Sequence, residues 1–317
     1  MKFLLSLVVV IALAFLSLLI GVGDMSMGVL IGNAAANEHL ILLASRVPRT
    51  LALLLAGAGM AVSGTIMQML ARNKFVEPST AGTVESATLG ILMVLVFAPG
   101  LSVLGKMAFA TLFALMGTAL FLAILQRIPL RSALIVPLVG IMLGGVISAV
   151  TTFFAYRYDL LQSLGAWTVG DFSAVLRGRY ELLWLSLALT IAAYIAADRF
   201  TVAGMGETFT TNLGLNYKRV VLVGLVIVSM VTACIVVTVG VVPFLGLIVP
   251  NVVSMTLGDN MRRSLPWIAL SGAGLVLVCD ILGRLLIFPY EIPVSAILGV
   301  FGSVFFLYIL LRKNAHA

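Results

Sequence analysis

Charge is what this sequence has least of. Of 317 residues, 10% are Asp, Glu, Lys or Arg and 62% are hydrophobic, whereas soluble domains carry about a quarter charged residues. That shortage excludes a large aqueous domain. Cysteine is scarce too: Cys234 and Cys279 both lie in apolar runs, which excludes a disulfide framework and leaves them as small core residues. The two histidines, His39 and His316, are too few for a metal site by themselves, and nothing in the pattern calls for a metal or a cofactor. The formal net charge is +7, but the bases are scattered in ones and twos at the ends of apolar runs. Such bases set membrane topology and do not make a nucleic-acid surface.

What the chain has in quantity is apolar length. A membrane-crossing helix takes about 20 mainly apolar residues. Runs of that kind fall at 3–20, 48–70, 80–98, 107–126, 134–155, 181–198, 220–239, 242–258, 266–288 and 293–311. The expected fold is an all-α polytopic membrane protein of about ten transmembrane helices, one domain over residues 1–317. The first run follows Lys2, is long for a signal peptide, and ends at Gly21-Val22-Gly23-Asp24, a poor cleavage site; it reads as a retained span. The eighth run is short and holds Pro243 and Pro250, which points to a broken or re-entrant segment.

An even number of spans puts both termini on one side. With the termini in the cytoplasm, the inside bases are Lys2, Arg72, Lys74, Arg127, Arg131, Arg199, Lys218, Arg219, Arg262, Arg263, Arg312 and Lys313. The outside bases are Arg46, Arg49, Lys106, Arg157, Arg177, Arg179 and Arg284. The bias favours this orientation. Glycines at Gly140 and Gly144, and the Ala56-Gly57-Ala58-Gly59 stretch, read as faces for close helix packing. Leu55-Ala56-Gly57-Ala58-Gly59-Met60 is echoed by Leu270-Ser271-Gly272-Ala273-Gly274-Leu275, running the opposite way through the membrane; this fits either an inverted repeat or the chance likeness of two Gly/Ala-rich spans.

Gly100 to Lys106 matches the first seven positions of a phosphate-binding loop, but Met107 stands where Ser or Thr should hold magnesium, and no strand precedes it. It reads as chance. No nucleophile–base constellation is present either, so the chain is not read as an enzyme. Energy for transport has to come from a gradient or from another subunit.

Two segments are richer than connections need to be. Residues 199–219 form the longest cytoplasmic loop, in which Thr208 to Leu213 fits a short helix led by Glu207 and flanked by glycines. A short helix between glycine hinges suits either a docking element or a solvated linker. The second is the outside set Arg46, Arg49 and Arg284, which runs against the topology rule and suits lipid phosphate or an acidic partner. Within the spans, Asp280 is four residues before Arg284 and fits an i,i+4 ion pair. Glu85 fits a cavity-facing or a buried hydrogen-bonded role.

Taken together, Arg46-Val-Pro-Arg49, Gly57 to Gly64, Gln68, Arg72-Asn73, Glu77-Pro78 and Gly82 resemble the FecCD/BtuC-type permeases. In the second half Gly206-Glu207, Leu213-Gly214, Gly240 to Pro250, Gly272-Ala273, Asp280, Arg284, Glu291-Ile-Pro293 and Gly299 agree with the same family. The resemblance spans nearly the whole chain in order. It implies the ten-helix fold of the membrane subunit of an ATP-driven importer for iron chelates or cobalamin. Its implied partners are a second permease, two ATPase subunits below, and a periplasmic binding protein above. It implies that Arg46, Arg49 and Arg284 dock the binding protein, that Gly206, Glu207, Leu213 and Gly214 couple to the ATPase, and that Gln68 and Glu85 are candidates for the translocation path. Asn251 and Ser254 stand where many members have His and Arg. With Gly82-Thr83-Val84-Glu85-Ser86-Ala87, that departure resembles the branch of vibriobactin, enterobactin and anguibactin permeases. The branch implies a ferric siderophore as substrate, a heterodimer with a homologous permease, and a bacterial inner-membrane location. A gradient-driven secondary transporter is the alternative, with Glu85 its one serious coupling candidate.

Overall fold

The computed structural model describes residues 2–21, 36–128 and 135–314. Arg131, His316 and the Val22–Asp24 part of the first turn lie outside the described residues. Among the described residues the regular elements are helices. Long apolar helices are α1 (Lys2–Leu19), α3 (Val47–Leu70), α5 (Val103–Arg127), α6 (Ile135–Arg157), α11 (Tyr217–Val239) and α13 (Met261–Leu285). Shorter ones are α4 (Thr83–Phe97) and α12 (Leu245–Leu257), and α14 (Val294–Asn314) is the last. Helix α8 (Leu183–Ile195) bends by 65° into α9 (Ala197–Gly204). Short helices α2 (Ala36–Ile41), α7 (Leu161–Thr168) and α10 (Glu207–Asn212) complete the order.

Ten of these helices coincide with the ten apolar runs. The boundaries differ where backbone chemistry overrides hydropathy. The sixth run reads as apolar to residue 198, yet the helix breaks at Ala196. The third run starts at 80, but Pro78–Thr80 is a 3-10 turn and α4 begins only after Gly82, which adopts φ 74. The eighth run is not broken at Pro250. Helix α12 runs through it and is short because Gly240 to Phe244 is non-helical, with Phe244 itself at φ 61.

α3 and α11 form the centre and are buried nearly all round, whereas α1, α5, α6 and α14 leave broad apolar faces uncovered. Small residues set the closest approaches. A side chain on Gly57 would start 2.7 Å from the carbonyl oxygen of Gly272, so the two echoed segments pack against each other where α3 and α13 cross. Gly64 meets the backbone of Gly246 on α12, and Gly140 meets Thr80. Such contact lets dispersion forces act between backbones where lipid offers no hydrophobic drive.

The helices α5, α11 and α13 start on side-chain caps: Ser102, Asn216 and Asn260 each accept an N–H from the first turn. These caps satisfy donors that the helix itself cannot. Ser102 thereby accounts for the phosphate-loop look-alike as a plain helix start.

Candidate functional site

Two clusters occupy opposite ends of the bundle. At one end lie the C-termini of α1 and α13 and the N-terminus of α3. Arg49 Nη2 pairs with Asp280 Oδ1 at 2.7 Å and Arg49 Nη1 with Glu291 Oε2 at 2.8 Å. Asp280 also pairs with Arg284, one turn along α13, as the i,i+4 spacing predicts. Arg284 donates to the carbonyls of Ser17 and Ile20 at 2.9 and 2.7 Å and to the Ser17 hydroxyl at 2.6 Å. Arg46 donates to the carbonyls of Leu18 and Leu19, both at 2.9 Å.

The last carbonyls of a helix have no partner within it, and a cation there also meets the negative end of the helix dipole. Two arginines therefore cap α1 from outside it. Arg46 and Arg284 are buried, while the side chains of Arg49 and Glu291 keep 13% and 26% of their exposure. The structure thus brings all three predicted arginines together. It also gives them internal partners that residue spacing alone could not supply, Ser17 and Glu291 among them.

At the other end, α9 and α10 form a hinged pair. Gly206 has φ 111 and ψ 167, a region essentially closed to residues with a Cβ, and Gly214 has φ 77 just beyond α10. Thr210 is buried and ties α10 back, donating to Gly206 O at 2.7 Å and lying 3.1 Å from Val202 O. Glu207 is exposed. Phe209 and Leu213, four residues apart and so on one face, are 48% and 57% exposed, beside the exposed Met205. Exposed apolar faces of this kind occur at protein and at membrane contacts. Phe209 and Thr210 were not singled out from sequence, although the i,i+4 spacing of Phe209 and Leu213 was there to be read.

Gln68 and Glu85 are not brought together. Gln68 is buried on α3, and its amide donates to the carbonyl of Gly246 at 3.3 Å. Pro250 has no N–H, so the Gly246 carbonyl, four residues earlier, lacks its helical donor; Gln68 supplies one. Glu85 lies on α4 against Gly144 of α6, its carboxylate carbon 3.2 Å from where a side chain there would begin. Its Oε2 is buried without a hydrogen-bond partner among the described residues.

A further acid is placed with more help. Glu77, fully buried, accepts the Phe244 N–H at 2.8 Å and the Ser79 hydroxyl, while its own N–H donates to Thr80 Oγ1 at 3.0 Å. It puts a carboxylate at the N-terminus of α12, where the helix dipole favours negative charge. The two departures from the family pattern are also explained. Asn251 Nδ2 donates to the carbonyls of Lys74 and Leu247 at 2.8 and 2.7 Å. Ser254 Oγ accepts from Lys74 Nζ at 2.9 Å and donates to Asp259. Burial alone would raise the Asp259 carboxyl, but the Ser254 hydroxyl and Lys74 together hold it below its ordinary value. No group of three or more His, Cys, Asp or Glu suited to a metal occurs among the described residues.

Relatives match this chain over most or nearly all of its length. The petrobactin import system permease protein YclN of Bacillus subtilis is 52% identical over 98% of both chains. The petrobactin import system permease protein FatD of Bacillus anthracis is 45% identical over 98% of this chain and 91% of its own. The ferric-anguibactin transport system permease protein FatD of Vibrio anguillarum is 42% identical over 86% of each. A solved chain assigned to the metal-chelate type of ABC transporters, in an inward-facing conformation, shares the fold with TM-score 0.82 at 24% identity, over 98% of this chain and 99% of its own. The profile of the FecCD transport family matches residues 4–312, and the chain belongs to that family.

Proposed function

We propose that this protein is the permease subunit of an ATP-driven importer that carries a ferric siderophore across the bacterial inner membrane. The observation that carries the reading is end-to-end similarity, at 52% and 45% identity, to two petrobactin permeases. The geometry agrees with it. The chain offers apolar helices and a hinged, apolar-faced short helix at one end, but, among the described residues, no nucleotide-binding loop in a strand–helix setting. ATP hydrolysis therefore belongs to partner subunits. The α10 face of Phe209 and Leu213, with Glu207 and the glycines Gly206 and Gly214, is the surface on which an ATPase subunit docks.

The arginine end is the mouth that receives the binding protein. There Arg49, the least buried of the three arginines, meets acidic groups of the partner, while Arg46 and Arg284 hold the end of α1 in place beneath it. Charge pairs of this kind set orientation and encounter rate more than affinity. The chain pairs with a homologous permease, and both termini face the cytoplasm.

The test is reconstitution of the permease pair, ATPase and binding protein in proteoliposomes. Ferric petrobactin should accumulate only with ATP on the ATPase side, and a protonophore should leave uptake unchanged. Uptake that needs a proton gradient and no ATP would establish the secondary-transporter alternative, with Glu85 as the first residue to examine. Orientation is checked with an impermeant maleimide on single cysteines. Thr208→Cys should label only from the cytoplasmic side and Leu176→Cys only from outside; Cys234 and Cys279 are buried and give little background. The reverse pattern overturns the orientation.

A further inference from the structure

Between α3 and α4 the chain forms a strap, Arg72 to Glu77, whose polar groups are fastened to two other elements. Arg72 is exposed and left-handed at φ 48, an uncommon conformation for a non-glycine residue. Its Nη1 stands 3.1 Å from where a side chain on Gly206 would begin, so it abuts the hinge of α10. Two residues on, the Lys74 carbonyl accepts from Asn251 at 2.8 Å, and Lys74 Nζ reaches Ser254 and Asp259, each at 2.9 Å. Glu77 then takes the N–H of Phe244 at 2.8 Å. One short segment is thus in contact with α10 at its start and hydrogen-bonded to both ends of α12 along the rest. Phe244, in turn, packs on Gly302 of α14.

A cavity of about 340 Å³ lies beside the strap, lined among others by Arg72, Lys74, Thr201, Met205, Ser254 and Asp259. It gives this region room to shift, which the closely packed α3–α13 crossing does not have.

We propose that the strap Arg72–Glu77 transmits displacement of α10 to α12, with Arg72, at its start, and Lys74, at its middle, as positioning residues. The proposal rests on α10 being the ATPase-coupling helix. Arg72 acts as a stop against the hinge: when α10 moves, the guanidinium moves with it. Lys74 and Asn251 convert that movement into a shift of the C-terminal half of α12, and Glu77 holds the N-terminal half in step. Hydrogen bonds and ion pairs suit this role because they are directional and lose strength steeply with distance. The Lys74–Asp259 pair is more than half exposed, and pairs of that kind add little to stability, so altering it leaves the fold intact.

The experiment uses the complete importer in proteoliposomes and reads ferric petrobactin imported per ATP hydrolysed. Arg72→Ala and Lys74→Ala should each lower that ratio about two- to thirtyfold, the span seen for coupling positions, with the ATPase still co-purifying. Lys74→Arg should restore it. The double variant should be no worse than the worse single one, because residues on one link do not add. An unchanged ratio in both single variants overturns the proposal, as does a double variant whose loss is the product of the two. Loss of ATPase co-purification in Arg72→Ala also overturns it, since Arg72 would then belong to the docking surface itself. The Phe209→Ala, Leu213→Ala double variant separates the two readings. If it binds the ATPase and couples normally, α10 is not the coupling helix; if it loses the ATPase while the strap variants stay fully coupled, only the strap proposal fails.

Discussion

At the scale of single residues, three buried polar side chains of this protein answer a defect elsewhere in the chain. Gln68 serves the carbonyl that Pro250 leaves without a donor, and Arg46 and Arg284 serve the open end of α1. Removing one partner of such a bond leaves a buried group unsatisfied, at a cost of about 1–3 kcal/mol. Gln68→Leu should therefore lower stability by about that amount, read as a lower midpoint of thermal unfolding in detergent, while Gln68→Glu should do more harm by burying a charge beside a carbonyl. Asp280 is shared by Arg49 and Arg284 and is fully enclosed. Asp280→Asn leaves two guanidinium groups with one fewer charge between them, and breaking a buried pair costs about 3–5 kcal/mol. Poor yield or a large loss of midpoint is expected there, against a small change for the part-exposed Glu291→Gln. Equal effects at Asp280 and Glu291 would show that burial does not decide the matter. The Asp280–Arg284 pair was legible in the sequence because one helical turn separates its members. The Arg49–Asp280 pair was not, because the two are 231 positions apart and only the α3–α13 crossing joins them.

At the scale of elements, hydropathy located the ten apolar helices, and glycine located their close approaches. The Gly57 and Gly272 stretches that echo each other in sequence do meet in space. What hydropathy missed are the places where a helix stops without losing apolar character. No glycine or proline marks the break at Ala196, where α8 turns by 65° into α9, so the sixth run looked longer than it is. The turn before α4 was partly absorbed into the third run as well: Ala81 and Gly82 are as apolar as a span, and only the positive φ of Gly82 betrays the turn. The short helix α10 was legible from its flanking glycines, but not its tie to α9 through Thr210, which depends on the bend. Its hinge gives the element-scale prediction. Gly206→Ala places a Cβ at φ 111, where the strain is about 1–3 kcal/mol. The hinge should relax by moving α10 off its packing on α9, so that siderophore transport per ATP falls while the protein still inserts. Normal transport with normal coupling in Gly206→Ala would return residues 205–214 to the status of a linker.

At the scale of the whole molecule, the uncovered surface is as informative as the core. Helix α6 leaves Leu138, Ile141, Met142, Val146 and Phe153 exposed, and α14 leaves Val300, Phe301, Val304 and Leu307 exposed. Lipid satisfies such faces without specificity, so exposure alone does not separate lipid from a second permease. Helix association in a membrane depends on fit between small and large side chains rather than on burial of oil. The α6 face carries Gly145 and the α14 face Gly299, each with open space where a side chain would start, which leaves recesses for the knobs of a partner. A homologous but non-identical permease can supply knobs matched to these recesses, whereas two identical faces must be self-complementary about a two-fold axis. We propose the pair of two different permeases as the arrangement that these recesses serve. Two differently tagged copies of this chain, co-expressed with the second permease and both ATPase and binding-protein subunits, should not co-purify with each other, while each should bring down the second permease. Filling one recess by Gly145→Leu should weaken that pairing and leave the isolated chain folded. Co-purification of the two tagged copies in stoichiometric amount would overturn the heterodimer and make the α6 and α14 faces a self-complementary interface.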